Sequence, residues 1–123
     1  LLHHCPNGGS RNKAEAVKLK QMGVKAGIPD LCLPVPMGMY NGLYIEMKYD
    51  TGRLEDSQKK MLKALAAAGH YCTVCYGAEE AIRVLQEYIN LKKIDTGNRE
   101  DAMSEQNLMI RKNGKVKCII FKE

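Results

Sequence analysis

The chain has no tryptophan, a single phenylalanine and six tyrosines. So thin an aromatic complement argues against a platform on which the bases of a single strand would stack. No apolar run approaches the roughly 20 residues that span a bilayer, so no membrane association is expected. No segment reads as a signal peptide, although the chain begins with Leu1 rather than Met, which leaves room for residues upstream. There is no internal repeat and no low-complexity tract. The five cysteines, at positions 5, 32, 72, 75 and 118, are odd in number, and Cys32, Cys72 and Cys75 fall within apolar runs. Reduced, buried thiols in a cytoplasmic protein fit this usage better than a disulfide framework does. The Cys72-x-x-Cys75 spacing suggests zinc, but positions i and i+3 of a strand point to opposite faces, and no second ligand pair follows. His3, His4 and Cys5 are the residues that could be recruited to such a site, and structural zinc is not expected.

What is present is ordinary globular material. A length of 123 residues supports one compact domain. Nineteen basic side chains against 14 acidic ones give a net charge of +5. That modest excess suits either a solvated surface or a polyanionic partner, nucleic acid being the commonest.

Residues 1–5 suit a short strand. Pro6-Asn7-Gly8-Gly9 is a turn, Ser10 an N-cap, and a helix is expected to run to about Met22, stopped by Gly23. Gly27-Ile28-Pro29-Asp30 leads into a strand at about Asp30–Val35, which Pro34, Pro36 and Gly38 end. Further strands are expected at about Gly42–Tyr49 and Tyr71–Tyr76. Helices are expected at about Asp56–Ala68 and Ala78–Asn90, the second with an apolar stripe of Ala78, Ala81, Ile82, Leu85, Tyr88 and Ile89. Residues 92–106 are polar and read as a linker. Asn113-Gly114, between Leu108-Met109-Ile110 and Val116–Phe121, signals a hairpin. The order predicts an α/β fold: a small mixed sheet flanked by helices, with a C-terminal β-hairpin extension over 107–123.

Four positions carry chemistry. Glu15 falls in the middle of the apolar stripe of its helix, where a carboxylate is expensive unless it pairs or binds a metal. A half-buried Glu pairing with a neighbouring Lys is the plainer explanation. On the strand at 42–49, Leu43, Ile45 and Met47 form one face, while Tyr44, Glu46 and Lys48 form the other. Without further context, an exposed ion pair on one strand, worth roughly 0–1 kcal/mol, is the plainer explanation. Hairpin pairing, however, would bring Asp30 beside Glu46, and two close carboxylates invite a divalent cation. Mg²⁺ accepts one or two carboxylates and keeps waters for chemistry. A lysine beside it can orient a water or stabilise charge on a phosphate. Gln58 shares the inward stripe of its helix with Met61, Leu62 and Leu65, either serving this site or bonding to loop backbone.

Pro29-Asp30 followed by Glu46-Met47-Lys48 looks like the PD-(D/E)xK nuclease signature. The surrounding blocks are more specific: His4-Cys5-Pro6-Asn7-Gly8-Gly9-Ser10-Arg11, Glu15, Leu19-Lys20, and Gly23 through Leu31. Gly42 through Lys48, Gly52-Arg53-Leu54 with Gln58, and Gly69-His70-Tyr71 follow. Together they resemble the VRR-NUC family over about residues 3–90, placing a nuclease domain at about 1–91. The resemblance implies a restriction-endonuclease-like core and Mg²⁺ or Mn²⁺ held by Asp30, Glu46 and the main-chain carbonyl of Met47. Glu15 would complete the acidic cluster, Lys48 would position the attacking water, and Gln58 would support the site. Where family members often carry a capping Ser, this chain has Glu55, so Asp56 or Ser57 is expected to cap the helix.

The resemblance also implies the substrate. Small stand-alone members act as homodimers on branched DNA, especially four-way (Holliday) junctions, in bacterial or phage-infected cytoplasm. Asn7, Ser10, Arg11, Lys13, Lys18 and Lys25 are the candidate DNA contacts, or else simply a solvated face. No small-molecule cofactor is expected. The alternatives are a monomeric flap or nicking nuclease and a non-catalytic DNA-binding module. Oligomeric state and cleavage, respectively, separate them from the junction reading.

Overall fold

Short strands rich in β-branched and apolar residues, separated by Gly and Pro breaks, assemble here into one six-stranded mixed sheet. The structure is a computed structural model and describes residues 1–5, 27–91 and 107–120. The helix expected over 10–22, the linker at 92–106 and the last three residues lie outside the described residues. The strands are β1 (His3–His4), β2 (Leu31–Leu33), β3 (Leu43–Lys48), β4 (Tyr71–Tyr76), β5 (Asn107–Lys112) and β6 (Lys115–Ile120), lying in the sheet in chain order. Helix α1 (Asp56–Ala67) joins β3 to β4, and α2 (Ala78–Ile89) follows β4. β1, β2 and β3 pair antiparallel, β4 is parallel to both β3 and β5, and the β5–β6 hairpin is antiparallel.

The centre of the sheet is buried on both sides, as a central parallel pair requires. On one face Leu33, Leu43, Ile45 and Cys75 pack with Ala81, Val84 and Tyr88 of α2. On the other, Cys72, Val74 and Leu108 pack with Leu62 of α1. Cys72 and Cys75 therefore belong to opposite cores, and their CxxC spacing offers no shared site. β2 is shorter than expected because Pro34 has no N–H for the ladder, and Val35 turns back to bond the carbonyl of Leu33 (2.9 Å).

Two expectations are corrected. In α2 the side chain of Glu80 is buried while Ile82 and Ile89 are exposed. Glu80 sits in the first turn, where the helix dipole favours an acid, and it pairs with Arg83. The N-cap of α1 is Glu55, not Asp56 or Ser57. The C-terminal hairpin is present as expected, and β5 extends the sheet beside β4 and buries Leu108. Buried Arg111 reaches across to α2, where its guanidinium meets both carboxylate oxygens of Glu87.

Candidate active site

The site starts from register. Leu31 lies opposite Ile45, so the next position along the antiparallel pair sets Asp30 opposite Glu46. The loop before Asp30 is held tightly. Gly27 has φ +82°, and a Cβ there would lie 2.3 Å from the carbonyl oxygen of Ser57 in the first turn of α1. Asp30 thus reaches its place because the chain at Gly27 carries no side chain. Gly27→Ala is expected to destabilise the fold by about 2 kcal/mol or more through left-handed strain and overpacking. It should also reduce activity among the molecules that remain folded. Thermal unfolding compared with wild type checks the first part, and a Tm within a degree or so of wild type would contradict it.

Asp30 Oδ2 accepts a hydrogen bond from the Met47 N–H at 2.9 Å. In a strand the N–H and C=O of one residue point to the same side. The Met47 carbonyl therefore faces the Asp30 side of β3, beyond the end of β2. Glu46 is 3% exposed and its carboxyl is pushed up to about 8. Burial is the main cause, followed by a hydrogen bond with Asp30 and the Asp30 charge. Glu55 adds a smaller push and Lys48 a pull in the other direction. Glu46 Oε2 is buried with no hydrogen-bond partner among the described residues. Two apposed carboxyls, one carrying an orphaned buried oxygen, make a hard-oxygen donor set, and such a set fits Mg²⁺ or Mn²⁺.

Lys48 lies two residues along the same strand face. Its Nζ donates to Gln58 Oε1 at 2.9 Å, and the same oxygen accepts the backbone N–H of Glu55, also at 2.9 Å. Gln58 Oε1 therefore bridges the helix-start backbone and the Lys48 ammonium. The loop between them is braced by the end of β4 and by the hairpin. Tyr76 donates from its hydroxyl to the Gly52 carbonyl (2.7 Å), and Lys112 donates to the Asp50 carbonyl (2.8 Å) while lying over the Tyr76 ring.

Of the residues named from sequence, the structure brings together Asp30, Glu46, Met47, Lys48 and Gln58. Glu15, Asn7, Ser10, Arg11, Lys13, Lys18 and Lys25 lie outside the described residues. A family model for the VRR-NUC domain matches residues 2–79. The chain belongs to the VRR-NUC family. A solved structure described as a VRR_NUC domain protein is 40% identical, with a TM-score of 0.65, over 76% of this chain and 71% of that one. No curated protein matches. The VRR-NUC match spans Glu15, Asp30, Glu46, Lys48 and Gln58, so the apposed carboxyls and the lysine lie within the nuclease domain itself.

Sequence reasoning missed two features of this VRR-NUC chain. Glu55, treated as a departure at a capping position, is near enough to Glu46 to act on its charge. Lys112 and its cross-strand partner Lys115 continue the row that starts at Lys48 and Tyr76, and exposed Lys117 follows two residues on. The hairpin lies beyond the matched segment yet turns a basic edge toward the Lys48 end of the sheet. The Asn-Gly signal located the hairpin, but only its pairing with β4 shows where those lysines lie.

Proposed function

We propose that the chain is a divalent-metal-dependent endonuclease that hydrolyses phosphodiesters in DNA, with branched DNA such as four-way junctions as its preferred substrate. The observation that carries the reading is the cross-strand apposition of Asp30 and Glu46, with Lys48 held by Gln58 on the same face. Asp30, Glu46 and the Met47 carbonyl would hold Mg²⁺ or Mn²⁺, with Glu15 completing the acidic set. Such a cation, when bound, neutralises charge on the phosphate and eases deprotonation of an attacking water. Lys48 directs its ammonium at that water and at the charge developing on the phosphate. The lysines of the β5–β6 hairpin, with the basic residues around Glu15, would follow the phosphate backbone, a contribution that weakens with salt.

Resolving a junction needs paired cuts in opposing strands, and the described residues of one chain hold one such site. A symmetric homodimer is the simplest way to supply two. Leu108 and Ile110 pack inside their own chain, and among the described residues Val116 and Ile119 are exposed large hydrophobics on the edge strand β6. The test is cleavage of matched junction, flap, duplex and single-stranded DNA in Mg²⁺, with light scattering on the same preparation. The expected result is a dimer that cuts the junction fastest and at symmetric positions. A monomer that makes symmetric cuts would overturn the dimer, and equal rates on all four substrates would overturn the preference.

The site also carries a pH signature. An unfolded Glu titrates near 4.5, and folding raises Glu46 to about 8, so the folded state holds the extra proton between those values. The stability this proton confers is complete below about 4.5 and lost as pH rises through about 8. In metal-free buffer the stability of wild type relative to Glu46→Gln should fall across that window. Mg²⁺ should oppose the fall by taking the proton's place. Tm measured against pH for both proteins checks this, and a difference that stays flat with pH would contradict it.

A further inference from the structure

We propose that His3, Cys5 and Cys32 form a second metal site, separate from the acidic one and suited to Zn²⁺. His3 and Cys32 are directly paired across β1 and β2. Alternation puts Cys5 on the same sheet face as His3. The imidazole nitrogens and the two thiols offer ligand atoms that all lie within 4.8 Å of one another. A tetrahedral Zn²⁺ with Zn–S near 2.3 Å and Zn–N near 2.0 Å needs its donors about 3.6–3.8 Å apart, so small side-chain rotations would complete the set. The histidine is already prepared. Its Nδ1 lies 3.0 Å from the carbonyl oxygen of Leu1, which can only accept, so Nδ1 carries the proton and donates it. That leaves the Nε2 lone pair free, and Nε2 is the atom 2.9 Å from Cys32 Sγ. A ring nitrogen fixed by a backbone carbonyl, with the other nitrogen turned to the ligand cluster, is how a metal-binding imidazole is held.

The donors also choose the metal. One imidazole and two thiols are soft, unlike the carboxylates of Asp30 and Glu46, and they select zinc over Mg²⁺. No fourth His, Cys, Asp or Glu joins the group among the described residues, which leaves one position for water or an exogenous donor. Cys5 and Cys32 are buried, whereas His3 is exposed on the edge strand and gives the ion a way in. Both thiols are free. The site would also reach the nuclease centre through the backbone, because the Cys5 N–H donates to the Asp30 carbonyl at 2.8 Å. Zinc there would clamp β1 to β2 and fix the strand that starts after Asp30.

The test uses the full chain, reduced and metal-free, titrated with Co²⁺ as a spectroscopic probe and then with Zn²⁺. One equivalent of Co²⁺ should give tetrahedral d–d bands and a thiolate charge-transfer band, both lost when Zn²⁺ displaces it, and Zn²⁺ should raise Tm. Cys5→Ser and Cys32→Ser should each weaken the charge-transfer band, while Cys118→Ser, on an exposed residue, should leave it intact. His3→Ala removes an exposed ring and spares the core. It should lower affinity roughly 100-fold or more, since loss of a supporting hydrogen bond alone costs about 10–100-fold. Glu46→Gln should keep the bands, so this result stands apart from the fate of the nuclease reading. Absence of thiolate bands in fully reduced protein would overturn the proposal. So would bands that survive His3→Ala unchanged or vanish in Cys118→Ser.

Discussion

Glu46→Gln and Asp30→Asn are each expected to reduce DNA cleavage by roughly 10² to 10⁴, with the fold intact. The isosteric changes matter. Asp30 accepts the Met47 N–H, and Asn keeps an oxygen for that bond. At position 46 the glutamine amide would fill the same volume as the carboxyl it replaces while carrying no charge to desolvate. At pH 8 without metal the Glu46→Gln protein should therefore be at least as stable as wild type, although it has lost the divalent ligand. Loss of activity without loss of stability separates a metal-holding carboxylate from a structural one. Calorimetric Mg²⁺ or Mn²⁺ titration beside single-turnover rates makes the measurement. Undiminished cleavage by either variant would remove the carboxylate pair from the chemistry.

The second large effect is expected at Lys48. Lys48→Ala should lower the single-turnover rate roughly 10²–10³-fold while DNA and metal affinities change much less. The reason is positional. The ammonium is fixed by Gln58, two residues along the strand from Glu46, so its charge bears on the reacting phosphate rather than on distant backbone. Removing it also spares the helix start, because Gln58 Oε1 retains its bond from the Glu55 N–H. A variant with a wild-type rate at saturating DNA and only weaker binding would show Lys48 to be an electrostatic anchor.

Much of this site could be read before any coordinates. The period of two along Leu43–Lys48 separates a core face from a chemical one, and the placement of Asp30 opposite Glu46 needs only an antiparallel neighbour. Gln58 was found because a polar side chain on an inward helical stripe must have partners. Features that depend on tertiary register were not legible. His3 and Cys32 are 29 residues apart, and their pairing follows from how β1 docks on the edge of β2, which no local pattern encodes. Ile82 and Ile89 are exposed although the apolar stripe included them, and Glu80 is buried at the helix start beside Arg83. Asn113-Gly114 located the hairpin, but its parallel pairing with β4 depends on register that no local pattern encodes.

The most direct measurement is single-turnover cleavage of an end-labelled four-way junction by the full chain, with free Mg²⁺ varied by chelator, for wild type and Glu46→Gln. No cleavage is expected in chelator, with a saturable rise with Mg²⁺ for wild type and a rate lower by roughly 10² or more for the variant at every Mg²⁺ concentration. Cleavage that persists in chelator, or a variant that follows the wild-type curve, would contradict metal-dependent cleavage through Glu46.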